Sequence, residues 1–349
     1  MRIHNFLLFM IIASGLLAGC QGTDSSQNTE PVSTKIPAVT EKPASTASGE
    51  PAGEETMTDT VAEDFVIKNG HLIRYKAGYF QSKNIVLPKT VKAIAPQAFE
   101  LTKEEKKNIS KLVLSKISIP ADIKIEEKAF EGAGPLDISM ENGRKKITKY
   151  AFYNIGKYGC ESTITLSRSI KQVEEYGLYS EGGLEVLSYD SLEEIGRYGM
   201  NGAKFEHLPP GIRILGAHAI GENDILQDGF PESLEKIGKE CISISNGKIK
   251  ISANVKKIGL NAVQWDYYNA SDRGYIVDPA NKYYRSDKSG WLYSKDGKKL
   301  YFAYRGLKTF EAPEGVEIIY RYGIYELAED DPYVIRFDGK DARWIPARG

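Results

Sequence analysis

The chain has 349 residues, 41% of them hydrophobic and 27% charged, so it can bury a core and is not the low-hydrophobicity type that stays unfolded. Its formal net charge of −1 gives no reason to expect a nucleic-acid partner. Its three cysteines are too few for a disulfide framework.

Residues 1–20 predict an export signal of the lipoprotein type. Arg2 supplies a positive start, and the apolar run from Phe6 to Leu17 is too short to span a bilayer comfortably. The motif Leu17–Cys20 matches a lipobox, which predicts a lipid on Cys20 and Cys20 as the new N-terminus. The expected partner is therefore a membrane, with the chain facing outside the cytoplasm. An ordinary signal peptide with an incidental cysteine is the alternative.

Residues 21–60 predict a disordered tether. The segment holds thirteen Ser or Thr, four prolines and no aromatic residue, so it cannot bury enough apolar surface to offset the entropy of ordering. As a coil it would reach about 35 Å from the membrane. The folded part is then expected over residues 61–349, and it begins with a hairpin from Phe65 to Tyr75 around the turn Asn69–Gly70.

A template of one apolar anchor, a small residue four positions later and an apolar residue five positions later recurs nine times, over residues of about 80–263 and 307–325. The anchors are Ile94, Ile125, Ile147, Val173, Ile195, Leu215, Ile237, Ile258 and Ile319. Spacings of mostly 20 to 26 residues indicate a solenoid, in which stacked units share one core. The longer first gap predicts a short helix over Leu101–Ser110. Arg144, at an apolar position of the third repeat, predicts a local bulge.

The segment Ile85–Phe99, IVLPKTVKAIAPQAF, resembles the signature I-x-[IL]-P-x-x-V-x-x-I-x-x-x-A-F of BspA-like (Treponema-type) bacterial leucine-rich-repeat surface lipoproteins. The resemblance covers roughly residues 65–325. The expected fold class is mainly β, a right-handed leucine-rich-repeat solenoid with short parallel strands, tight turns and hairpin caps. The resemblance implies surface attachment or adhesion, although one scaffold serves many partners.

Residues 264–306 predict an aromatic hairpin insert, because the anchor spacing there grows to 61 residues and the strands flank Asp296–Gly297. The resemblance extends to an N-x-x-Y…G-x-L-Y unit, matched by Asn281, Tyr284, Gly290, Leu292 and Tyr293. Part of the insert is expected to form one degenerate coil, with Ile276 and Val277 in its strand. Residues 326–349 predict a C-terminal cap, with strands at Val334–Phe337 and Arg343–Ile345.

Three sets of residues are candidates for contact with a protein or glycan ligand. The first is a ladder, three residues after successive anchors, formed by Tyr150, Tyr176, Tyr198 and His218. The second is an outward cluster of Leu187, Phe205 and His207; the third is Trp291, Tyr293 and Tyr301 in the insert. Each has a structural alternative: self-packing of the ladder, inward packing of Phe205 beside Ser188, and packing of the insert against the stack.

No catalytic or phosphate-binding motif occurs, the histidines lack metal-ligand spacing, and no cofactor or metal is expected. Cys160 and Cys241 fall about four coils apart, too far for a disulfide, so both are predicted to be free. The sequence thus predicts a membrane-anchored, exported binding module rather than an enzyme. A structural envelope lipoprotein without a soluble ligand is the alternative, and an enzyme using the aromatic insert comes third.

Overall fold

Short parallel strands, stacked one coil above the next, build the folded part of the chain. The computed structural model describes residues 57–222, 229–245, 247–265, 273–303 and 313–319, and the strand backbones at 310–311, 335–337 and 340–341. The predicted lipobox and nearly all of the predicted tether therefore lie outside the described residues. So do Gly323 and Ile324, which complete the template in the ninth repeat.

The strands of the described part are, in chain order, β1 (Thr58–Asp59), β2 (Phe65–Lys68), β3 (His71–Tyr75), β4 (Lys83–Ile85), β5 (Ala93–Ile94), β6 (Ser115–Ile119), β7 (Lys124–Ile125), β8 (Leu136–Met140), β9 (Lys146–Ile147), β10 (Ser162–Thr165), β11 (Gln172–Val173), β12 (Leu184–Leu187), β13 (Glu194–Ile195), β14 (Ile214–Leu215), β15 (Gly221–Glu222), β16 (Lys236–Ile237), β17 (Ile242–Ile244), β18 (Lys248–Ile251), β19 (Lys257–Ile258), β20 (Val263–Trp265), β21 (Gly274–Val277), β22 (Tyr284–Ser286), β23 (Leu292–Ser294), β24 (Lys299–Phe302), β25 (Phe310–Glu311), β26 (Ile318–Ile319), β27 (Ile335–Phe337) and β28 (Lys340–Asp341). One α-helix, α1 (Lys103–Lys107), and two 3-10 turns (Ala62–Asp64 and Ile109–Lys111) complete the described elements.

Two six-stranded parallel sheets form the two main faces of the stack. One has the order β1-β4-β6-β8-β10-β12, and the other, made of the anchor strands, has the order β19-β16-β14-β13-β11-β9. Anchors of neighbouring coils lie directly opposite each other, as in Val173 against Ile195 and Leu215 against Ile237. The predicted solenoid of short parallel strands is confirmed.

The template residues fill the core. In the described repeats the anchors, the small residues at plus four and the apolar residues at plus five are all buried. Phe99, Phe130 and Phe152 stack face to face along the axis, with ring centroids 4.9 Å apart at both steps. Cys160 and Cys241 are buried and free, as predicted, and burial raises the pKa of the Cys241 thiol to about 12.

The predicted N-terminal hairpin is confirmed, because β2 and β3 pair antiparallel around Asn69 and Gly70, both at positive φ. β3 then pairs parallel with β5 and covers the first coil. The folded part begins earlier than the predicted tether boundary at residue 60, because β1 pairs with β4 and the Asn84 amide donates to Asp59.

The predicted helix is also present, as α1, with the Thr102 hydroxyl and the Glu105 carboxylate capping its first turn. At the C-terminus β27 pairs antiparallel with β28 at Lys340–Asp341. The second strand was predicted at Arg343–Ile345, which lies outside the described residues.

Arg144 does not produce a bulge, because β8 keeps an unshifted register with both of its neighbours. The Arg144 guanidinium instead donates to the backbone carbonyls of Pro120 and Ile123. The anchor sheet breaks at this level, and β7 and β9 belong to different sheets. Hydrogen bonds from the Arg144 side chain thus take the place of the strand pairing that β7 and β9 lack.

Four successive coils also need glycine directly after the anchor, a position that the sequence analysis did not single out. These residues are Gly196, Gly216, Gly238 and Gly259. A Cβ on Gly238 would lie 2.2 Å from the backbone carbon of Gly216, and one on Gly259 would lie 2.5 Å from that of Gly238. Backbone therefore packs directly on backbone along this edge of the stack.

We expect Gly238→Ala to lower the free energy of unfolding by about 1–3 kcal/mol or more, because rigid backbone must move to accept the methyl group. Gly211→Ala is the matched control, since its nearest atom would be 4.0 Å from the new Cβ. Chemical denaturation of both variants checks this expectation. Equal stabilities would show that the coils do not meet at Gly238.

Candidate functional site

A column of stacked rings runs along one edge of the solenoid. Tyr150, Tyr176, Tyr198 and His218 stack in order, with centroid distances of 4.9, 4.7 and 4.5 Å and interplanar angles of 6, 12 and 5°. All four rings are half-buried. The predicted ladder of these four residues therefore exists as a continuous column, and we call it the aromatic ladder.

The backbone explains why the ladder leaves the core. All four residues have a φ of 54 or 55°, in the left-handed region that residues other than glycine rarely adopt. The same conformation recurs three residues after the anchor in the other described coils: Gln97, Lys128, Glu240 and Asn261. The turn directs this side chain outward before the plus-four and plus-five residues enter the core. The ladder spacing then matches the distance between paired strands, about 4.8 Å.

A second, shorter row lies beside the ladder. Tyr153 and Tyr179 stack at 5.3 Å, and their rings meet Tyr176 edge-on at 5.9 and 5.4 Å. Burial raises the pKa of Tyr176 and of Tyr179, so both stay neutral and keep their hydroxyl protons. The two rows form one ridge of phenol rings.

Cationic side chains flank the ridge. The Lys149 ammonium lies 5.3 Å from the Tyr150 centroid, and the Arg197 guanidinium lies 5.3 Å from the Tyr198 centroid. Both cations also pair with Glu175, at 3.0 and 3.5 Å. At the His218 end, burial lowers the pKa of the imidazole, although Glu240 lies 3.6 Å from its Nε2. The ridge is therefore an uncharged strip between paired charges.

The ladder exposes ring edges and hydroxyls rather than ring faces. Each inner ring has a neighbouring ring on both faces, and cations or carboxylates border the outer ones. Ring edges carry the positive part of the aromatic quadrupole, and hydroxyls donate and accept hydrogen bonds. The arrangement suits contacts with carbonyls, carboxylates and apolar groups, and leaves little open face for stacking.

The predicted cluster of Leu187, Phe205 and His207 is not an exposed patch. Leu187 is 40% exposed, but Phe205 is only 9% exposed and packs edge-on against Tyr189 at 5.6 Å. The prediction that Phe205 points outward is wrong, and its inward alternative is confirmed. The alternation holds, but the register differs by one residue from the predicted one: Glu185 bridges Lys204, so Phe205 lies level with Val186, which faces the core. The Tyr189 hydroxyl accepts from the Glu206 and His207 amides. His207 Nε2 lies 2.8 Å from Asp190 Oδ1.

The insert forms the predicted hairpin, with β23 and β24 antiparallel and β22 added as a third strand. Tyr293 is only 2% exposed, its ring lies under Arg285, and its hydroxyl donates to Asp287. Trp291 and Tyr301 are half-buried, and Tyr301 packs edge-on against Tyr284. The three candidate aromatics of the insert therefore do not form one open binding face.

The motif around Asn281 has a structural role that the sequence analysis missed. Asn281 is 1% exposed; its amide donates to the carbonyls of Ser252 and Val255 and accepts from the Tyr283 and Tyr284 amides. The Tyr284 hydroxyl accepts from the Ile258 amide, on the edge strand β19. Among the described strands, no further anchor strand pairs with β19, so backbone groups at this edge need other partners. The side chains of Asn281 and Tyr284 supply these partners, and the insert therefore closes the anchor sheet.

The other long face continues past this point. β21 pairs parallel with β18 over four residue pairs, which confirms the degenerate coil predicted around Ile276 and Val277. β24 then pairs parallel with β26, where Leu300 lies opposite Ile319. Because Ile319 is the ninth anchor, the anchor strands resume beyond the hairpin, and the insert lies within the stack rather than at its end.

Asn281→Ala should lower the free energy of unfolding by about 2 kcal/mol or more, because it leaves buried carbonyls and amides without partners. Asn254→Ala is the control: it removes a comparable amide-to-carbonyl bond, to Glu232, at an exposed position. Calorimetry of both variants measures the difference. If the two losses are equal, Asn281 does not cap a buried edge.

The described residues contain no group of three or more His, Cys, Asp or Glu side chains placed to hold a metal ion. The helices in the described part of the chain are too short or too polar to span a bilayer.

Sequence comparison identifies the repeats. The family described as BspA type leucine rich repeat region matches residues 105–209 in six copies. Residues 105–209 therefore resemble BspA-type leucine-rich repeats. The matched region includes Tyr150, Tyr176 and Tyr198, so most of the aromatic ladder is built on family repeats. No curated protein shows significant similarity to the chain.

Two solved structures are similar to this chain. One is the crystal structure of the pneumococcal vaccine antigen PcpA, at 20% identity and a TM-score of 0.28, covering 77% of this chain and 52% of that chain. The other is a leucine-rich repeat protein from Eubacterium ventriosum ATCC 27560, at 14% identity and a TM-score of 0.26, covering 52% of this chain and 43% of that chain. The chain thus spans about half the length of these proteins, and such low scores add nothing to the fold beyond the strand pairing above.

Proposed function

We propose that the chain is a membrane-anchored, exported binding module whose ligand is another protein, bound along the aromatic ladder. The observation that carries this proposal is the ladder itself. It is a half-buried column of four rings with a second row of tyrosines beside it, on an edge whose other side chains are mostly charged. Tyrosine gives rigid contact area at low entropic cost and is enriched at protein interfaces. Each ring is already held by its neighbours, so little ordering remains for binding.

A protein fits this surface better than a glycan. Saccharides use open aromatic faces, and the ladder rings cover one another's faces at 4.5 to 4.9 Å. Ring edges and hydroxyls instead suit the carbonyls and apolar side chains of a polypeptide. The competing function, a structural envelope lipoprotein, would use the ladder only to shield the coil turns.

The double variant Tyr176→Phe, Tyr198→Phe separates these two functions, because it keeps the stacked rings and removes their hydroxyls. We expect its capture of a protein ligand, found by screening the mature chain against purified protein and glycan arrays, to fall about thirtyfold, because two hydrogen bonds of about 1 kcal/mol each are lost. The melting temperature should change by no more than about 2 °C.

Tyr283→Phe is the control, since Tyr283 is exposed in the insert and outside the ladder. Unchanged capture by the double variant would reject the ladder as the contact surface. A hit confined to glycans, or no hit on either array, would reject the protein-binding function.

The lipid anchor rests on the motif Leu17–Cys20. Cys20→Ser should move the protein from the membrane fraction to the soluble fraction, because the thioether to the lipid cannot form. Radiolabelled palmitate incorporation and fractionation measure the change. An unlabelled wild-type chain that fractionates like Cys20→Ser would contradict the lipobox prediction.

A further inference from the structure

A groove of about 700 Å³ crosses the outer face of the first long sheet, at the side where each coil enters its strand. Its volume lies in the range of ligand sites. Its floor includes Leu114, Pro135, Glu161 and Gly183, each one residue before a register-matched strand position. These residues belong to successive coils, so the groove runs along the solenoid axis.

The two ends of the groove differ in chemistry. One end is apolar, with Ile109, Leu112, Leu114 and Pro135. Leu114 is 43% exposed, which is unusual for a leucine of this chain. The long first gap supplies this wall, through the 3-10 turn Ile109–Lys111 and the segment after it. The long gap between the first two anchors therefore gives the groove its apolar end.

The other end is acidic. It holds Glu161, Glu185 and Lys204, which together carry one net negative charge. The Lys204 ammonium lies 3.6 Å from Glu161, with both side chains exposed, so this pair is weak. Within the described part of the chain, Glu185 has no ion-pair partner. A cation entering the groove would find an unpaired carboxylate there.

The middle of the groove offers bare backbone. Gly159 and Gly183 carry no side chain, and a Cβ on Gly159 would meet nothing within 4 Å. Five coils at about 4.8 Å give a length of about 19 Å, which about six extended residues would span. A backbone-lined groove of this length fits an extended peptide better than a compact solute.

We infer that this groove binds an extended peptide segment of a partner protein, with apolar side chains at the Leu114 end and an arginine or lysine against Glu185. The inference rests on the proposed protein-binding function and adds a second surface, separate from the aromatic ladder. Charge complementarity decides the orientation, because only one end of the groove is acidic. Added salt should weaken binding, since the ion pair is partly exposed.

The test is selection of random nine-residue peptides, displayed on phage, by the mature chain. We expect enriched peptides to pair two or more apolar residues with one arginine or lysine about three to five positions away. Glu185→Lys should weaken the best selected peptide at least tenfold, measured by fluorescence anisotropy. A version of that peptide with glutamate in place of its basic residue should regain affinity for Glu185→Lys.

Glu232→Lys is the matched control, an exposed acidic position outside the groove that should leave the affinity unchanged. The ladder variant Tyr176→Phe, Tyr198→Phe should also leave it unchanged, which separates failure of the ladder from failure of the groove. No enriched basic-apolar pattern, or equal affinities for Glu185→Lys and Glu232→Lys, would overturn the inference.

Discussion

The rest of the structure depends on hydrogen bonds between the backbones of successive coils. They hold the two-residue anchor strands in register and continue into the turns, where the Tyr150 amide donates to Glu175 and the Tyr176 amide to Arg197. Because each coil lies in register with the previous coil, residues at the same template position line up in a column along the stack. The phenylalanine stack inside and the aromatic ladder outside are two such columns.

The same register sets steric limits. Along the edge formed by Gly196, Gly216, Gly238 and Gly259, the residue after the anchor must be glycine, since any Cβ would meet the neighbouring backbone. Where the register fails, side chains replace the backbone, as the Arg144 guanidinium does for two carbonyls. The stack therefore tolerates an irregular coil provided that the exposed backbone groups find other partners.

A solenoid must also end without leaving an open edge. At β19 the amide of Asn281 and the hydroxyl of Tyr284 take the bonds that another anchor strand would make. The long face continues through β21 at the same level. Anchor strands resume at β26, which pairs with β24 of the insert. The aromatic residues of the insert therefore lie where the anchor sheet is interrupted, not at the end of the stack. The two proposed binding surfaces, the ladder and the groove, lie elsewhere on the stack.

The sequence by itself determined the repeat, the anchors, the buried template positions, the N-terminal hairpin and the ladder, because each follows from a periodic pattern of local residue types. Tertiary structure alone decided three other things. Phe205 faces the core because Glu185 bridges Lys204, a register one residue away from the one that the repeat template predicts. Asn281 caps the anchor sheet because the edge strand β19 lies beside it. The groove arose because residues from five coils, far apart in the chain, meet on one face.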